Sequence, residues 1–243
     1  MTHFAKQPAV SFKKLAVFAF CIILAVVVVL GFILSKGLKR KSYVFSNGAV
    51  FYAYYTETAK NLNADSVCDS QKRSGGAGYL YSLGLNNDVC AFLYKTKEEA
   101  ERIKQANITQ YSKGNIIELK TTALTNHAQK LVKNSEAFTS LIHLFEDVFN
   151  EFYDLAKMLD SMLITESKML TKVLLILEKT NETGEKLDAK DELSASVELL
   201  SFEIKDYLAK ANSKTEKSSG IKFLCFKIIE LFNASAEILN NRK

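Results

Sequence analysis

Three histidines, four cysteines and three adjacent carboxylate pairs carry the metal-binding, nucleophilic or proton-transfer chemistry available to this 243-residue chain. Their spacing assembles none of it. His3, His127 and His143 stand far apart, and no Cys-x-x-Cys or helical His pair exists to hold zinc. Glu98-Glu99, Glu146-Asp147 and Asp191-Glu192 fall on polar faces, where solvated carboxylates are expected rather than a general acid and base. Gly75-Gly76-Ala77-Gly78 is glycine-rich, but it follows a helical stretch and lacks the Lys-Ser/Thr partner of a phosphate loop. No nucleophile elbow, dinucleotide fingerprint or kinase signature occurs. The expectation is a protein that is not an enzyme and uses no cofactor and no metal.

The chemistry that remains is recognition by aromatic rings. Strand alternation places Tyr52 and Tyr54 on one face of a first strand, Tyr79 and Tyr81 on one face of a second, and Phe92 and Tyr94 on one face of a third. If these sets share a face, six aromatics line it, and sugar rings stack well on aromatic planes. The alternative is that the six pack under helices while Phe51, Ala53, Tyr55, Leu80, Ala91 and Leu93 face outward.

The elements that must position these rings follow from local pattern. Val50 to Tyr55 is aromatic and β-prone, and residues 58–72 have a polar helical composition. The glycine turn at 75–78 leads into a strand over residues 79–83, and Asn86-Asn87-Asp88 turns it into another over residues 89–94. Thr96 suits a helix N-cap, with Glu98 and Glu99 in the first turn of a helix ending near Ala106. A strand around Ile116-Ile117 closes the series. The order β-α-β-β-α-β predicts a small antiparallel sheet of ferredoxin-like type with both helices on one face.

That order, with the phrase Ala91-Phe92-Leu93-Tyr94-Lys95-Thr96-Lys97-Glu98-Glu99-Ala100-Glu101 and the run Arg73 to Tyr79, resembles SPOR domains, the sporulation-related repeats, including divergent clostridial forms. The resemblance covers about residues 43–120. It departs from the family where Tyr54-Tyr55 and Phe92-Leu93 replace glycines that usually end the first and third strands. It implies an α+β domain that binds peptidoglycan glycan strands through the open sheet face, in cell division or sporulation. Outside the cell, Cys68 and Cys90 of this domain could form a disulfide; buried free thiols are the alternative.

Beyond residue 120 glycine becomes rare, with only Gly184 and Gly220. Apolar or small residues from Leu131 through Phe138, Ile142, Phe145, Phe149, Phe152 and Ala156 to Leu163 alternate steps of three and four, the stripe of a bundle helix. Breaks are expected at residues 164–167, around Asn181–Gly184 and at Ser218-Ser219-Gly220. Three or four antiparallel helices, with coiled-coil-like packing, result. This body offers a second functional reading, a protein–protein interaction or oligomerisation module without glycan binding.

Charge divides unevenly along the chain. The 32 Lys+Arg and 27 Asp+Glu leave +5, yet the first 42 residues hold seven basic residues and no acidic one. The body beyond them is slightly acidic, which excludes a basic nucleic-acid-binding face. Residues 15–34 form an uncharged apolar run that as a helix would span roughly 30 Å, a bilayer's hydrocarbon thickness. The expected organisation is therefore a basic tail at 1–14, a single N-terminal transmembrane helix at 15–35 in the lipid bilayer, a basic linker at 36–42, the α+β domain at 43–120 and an all-α bundle at 121–243. The expected location is a bacterial plasma membrane with the N-terminus cytoplasmic and residues 36–243 extracytoplasmic. Expected partners are glycan strands and other membrane, division or sporulation proteins, and no nucleic acid.

Overall fold

The structure, a computed structural model, describes residues 45–57, 64–83, 86–106 and 114–242. After a 3-10 turn at Phe45–Asn47, the chain forms β1 (Val50–Glu57), α1 (Ala64–Arg73), β2 (Tyr79–Leu83), β3 (Asn86–Tyr94), α2 (Lys97–Ala106) and β4 (Gly114–Lys120). Five helices follow: α3 (Asn126–Asn134), α4 (Glu136–Asp160), α5 (Glu166–Glu185), α6 (Glu192–Lys210) and α7 (Lys214–Asn241).

The sheet is antiparallel in the order β2-β3-β1-β4. Tyr52 stands opposite Tyr94 and Tyr54 opposite Phe92, so these pairs share a face. One step further Tyr55 pairs with Cys90, so Ala91 is an extra residue that interrupts the alternation of β3.

Each later helix opens on a side chain that satisfies a free backbone N–H. Thr125 accepts from Ala128, Ser135 from Phe138, Thr165 from Lys168 and Asp191 from Leu193. Ser213 and Glu216 form a reciprocal capping box at the start of α7. The turn between α4 and α5 carries Met162 at φ 56°, a left-handed conformation.

One expected helix break falls where it was placed and one does not occur. Asn181–Gly184 forms the last turn of α5, which ends at Glu185, whereas Ser218-Ser219-Gly220 lies within α7. Gly220 serves close packing instead: a Cβ there would lie 2.4 Å from the Tyr207 ring of α6. The chain breaks earlier, before the capping box.

The expected division into an α+β domain and a separate bundle is corrected by the packing, because Tyr43–Lys243 forms one compact unit. Phe45 meets Phe51 of β1, Phe149 of α4 and Phe232 of α7 edge-on, at centroid distances of 5.7, 5.2 and 5.1 Å. Burying these rings together merges sheet and helices in one core. The helix α7 is also bonded to the strands and turns: Ser219 and Lys222 donate to the carbonyls of Gly76 and Gly75, each at 2.7 Å. Asn233 accepts from the Thr122 N–H at 2.7 Å, and Asn240 from the Thr125 N–H at 2.8 Å.

The expectation of a single-pass membrane protein at the plasma membrane is likewise corrected. Among the described residues no helix is long and apolar enough to cross a membrane. The run at 15–34, the tail before it and the basic linker after it lie outside the described residues.

Candidate functional site

The six sheet aromatics do not form an open platform. Tyr54, Phe92 and Tyr94 are 1, 6 and 7% exposed, while Tyr52, Tyr79 and Tyr81 are half-buried. Phe92 stacks on Tyr153 of α4 at 5.5 Å, and Tyr79 on Phe226 of α7 at 4.7 Å. Lysines of the same chain occupy ring faces as well. Lys222 lies 5.4 Å from the Phe92 centroid, and Lys95 lies 4.6 Å from that of Tyr153. Burial, with nearby Glu99, pushes the phenols of Tyr94 and Tyr153 far above their ordinary range. The Tyr79 hydroxyl donates to Glu230 at 2.6 Å. Burial raises the Glu230 carboxyl, but the bonds from Tyr79 and Lys227 outweigh it and hold that carboxyl low. Of the rings a sugar would need, Tyr54, Phe92 and Tyr94 are thus buried, and Tyr79 is stacked and hydrogen-bonded.

No disulfide joins Cys68 and Cys90, which are buried thiols, as is Cys225. Burial pushes the Cys68 thiol up. Cys68 lies instead beneath the glycine turn. A Cβ on Gly78, whose φ is +55°, would stand 2.4 Å from the Cys68 carbonyl oxygen.

The carboxylate pairs have structural partners. Glu99 takes Lys157 at 2.5 Å and the Tyr153 hydroxyl at 3.2 Å. Glu146 accepts the Phe45 N–H at 2.8 Å, and Asp147 pairs with Lys179 at 2.7 Å. Burial raises the Glu146 carboxyl against those backbone bonds. Asp191 caps α6 and pairs with Arg242. His127 and His143 are exposed, and among the described residues no group of His, Cys, Asp and Glu could hold a metal ion.

Among the described residues the large exposed apolar side chains, apart from Leu80 of β2, lie on two helices and one turn. Met162 and Leu163 in the α4–α5 turn are 80 and 78% exposed, Leu174 and Leu175 of α5 are 55 and 58%, and Leu199 and Phe202 of α6 are 43 and 61%. Helix α6 buries Leu193, Val197, Leu200, Ile204 and Tyr207 and carries this second stripe on its other side. Sequence reasoning passed over it, although Ala195, Leu199, Phe202 and Ala209 also recur at steps of four, three and seven.

The chain matches no protein-family model, no curated protein and no solved structure.

Proposed function

We propose that this protein is a non-catalytic protein–protein interaction module that works through the outward faces of α5 and α6. The observation that carries this reading is the exposure of Leu174, Leu175, Leu199 and Phe202, two on each of two adjacent helices; among the described residues no other phenylalanine ring is as open as that of Phe202. Apolar exposure beyond the scattered single residues of an ordinary surface marks sites of protein–protein contact. The burial of Tyr54, Phe92 and Tyr94 favours this over glycan binding by the sheet.

Photo-cross-linking in the native cell tests it, with the cross-linker placed at Leu175 or Phe202 and, as controls, at the exposed residues Glu118 of β4 and Lys133 of α3. Discrete adducts are expected at the first two positions only. Equal labelling at all four, or none, refutes the reading.

A further inference from the structure

Resting on that module reading, we infer that the partner of α6 is a second copy of this chain, bound through antiparallel pairing of the two α6 helices about a twofold axis near residue 201. Ala195, Leu199, Phe202, Asp206 and Ala209 follow one another at steps of four, three, four and three, the spacing of a helix–helix seam. All are exposed except Asp206, which is partly covered and engaged by Lys210 at 2.7 Å. This stripe lies opposite the face that α6 buries within its own fold, so pairing costs none of the existing core.

Charge placement selects the occupant and its direction. Turning the helix about that axis sets Leu199 against Phe202 of the copy, twice. The same operation sets Glu198 against Lys205 of the copy, again twice. Glu198, Phe202 and Lys205 all line the groove between α5 and α6, so both charges lie on the same flank of the stripe. In an antiparallel twofold pair, like flanks face one another, and the two Glu–Lys contacts form together. Glu192 and Lys210, exposed at the two ends of α6, are exchanged by the same axis. A parallel pair brings unlike flanks together and would set Glu198 against Glu203 and Lys205 against Lys210, like charge against like. The sequence of α6 is therefore complementary to its own reverse, a property that a surface shaped for an unrelated partner does not need.

Sedimentation velocity of the full chain, across a wide concentration range, tests the inference. The wild type is expected to show a reversible monomer–dimer equilibrium. Phe202→Gln, at an exposed site where the fold should not suffer, is expected to leave monomer. Glu198→Lys places like charges together twice and should weaken dimerisation about tenfold. Combining it with Lys205→Glu restores opposite charges across the axis and should restore the dimer. Circular dichroism of each variant confirms that the fold is retained. A dimer that ignores Phe202→Gln, or a double variant as weak as Glu198→Lys alone, overturns the inference. A monomeric wild type that still gives discrete cross-links at Phe202 overturns self-pairing and leaves the module reading standing. A monomer without such adducts overturns both.

Discussion

The packing of α6 against its two neighbours makes opposite predictions for two glycines. Gly220 lies inside α7, where alanine would ordinarily gain about 1 kcal/mol of helix propensity. Its Cβ, however, would sit 2.4 and 2.6 Å from Cδ2 and Cε2 of Tyr207. That ring cannot easily retreat. It is buried, and its hydroxyl donates to the Lys217 carbonyl at 3.2 Å and approaches the Met169 sulfur at 3.4 Å. Forcing a methyl group into such packing costs about 1–3 kcal/mol, and a pinned ring belongs at the upper end. Gly220→Ala should therefore be destabilised by about 2 kcal/mol net. Gly184 of α5 differs: its Cβ would meet only Val197 Cγ1 at 3.4 Å, an ordinary contact. Gly184→Ala should be stabilised by about 0.5–1 kcal/mol. Urea denaturation of the full chain, read as midpoint shifts at constant m, separates the two. Replacing Tyr207 by Leu removes the ring, so adding Gly220→Ala to Tyr207→Leu should cost far less than adding it to the wild type. A Gly220→Ala protein as stable as the wild type would refute the argument from close approach.

Three further outcomes follow from the buried side chains and the helix caps. Phe92→Ala should lose about 3–5 kcal/mol, whereas Leu80→Ala on an exposed strand position should change stability by less than about 0.5 kcal/mol; similar small losses at both would mean that Phe92 is not covered by α4. The thiols of Cys68, Cys90 and Cys225 should resist a thiol reagent in the native protein and all react in urea without reductant, while two thiols silent until reduction would mark a disulfide. Glu216 accepts the backbone N–H groups of Ser213 and Asn212 at 2.9 and 3.0 Å, and these bonds hold its carboxyl below the ordinary 4.5. Its folded value is thus lower than its unfolded one, so the stabilisation is present above 4.5 and is lost as pH falls through the folded value. Glu216→Gln should accordingly flatten the fall in urea midpoint on the acid side of 4.5, and an unchanged acid profile would contradict the capping-box geometry.

The small elements were legible because their signals are local. Tyr79–Leu83 is bounded by a glycine turn and a polar turn, and Thr96 with Glu98-Glu99 marks the start of α2. The helical stripe from Phe138 to Leu159 likewise carries its own period into α4. What failed was long-range. Nothing within residues 43–120 announces that Phe92 will stack on Tyr153 or that Phe45 will meet Phe232, since each half has an apolar face that could equally close on itself. The alternation of Phe92 and Tyr94 in β3 holds, but the extra residue Ala91 interrupts it just before them, and bulges leave little trace in sequence. Gly220 of α7 was taken as punctuation when its use is proximity to Tyr207, a fact that exists only once the helices are paired. The outer stripe of α6 escaped notice because its neighbour, the buried stripe, is stronger and absorbs the periodic signal.

The bonds from α7 to the early part of the chain set the order in which the protein can be completed. Ser219 and Lys222 reach the turn at Gly75 and Gly76 across 143 and 147 positions, and Glu230 reaches Tyr79 across 151. During synthesis, the strands emerge long before the helix that seats their turn and covers Tyr79. Until Lys214–Asn241 has left the ribosome, the rings of Phe45 and Tyr79 lack their α7 partners, and the nascent sheet presents apolar surface to whatever is nearby. Contacts this distant in sequence also slow folding, because a large loop must close before any of them forms. The native state is therefore reached late and as a whole, and a chain interrupted before α7 would be recognised by the cell as unfolded.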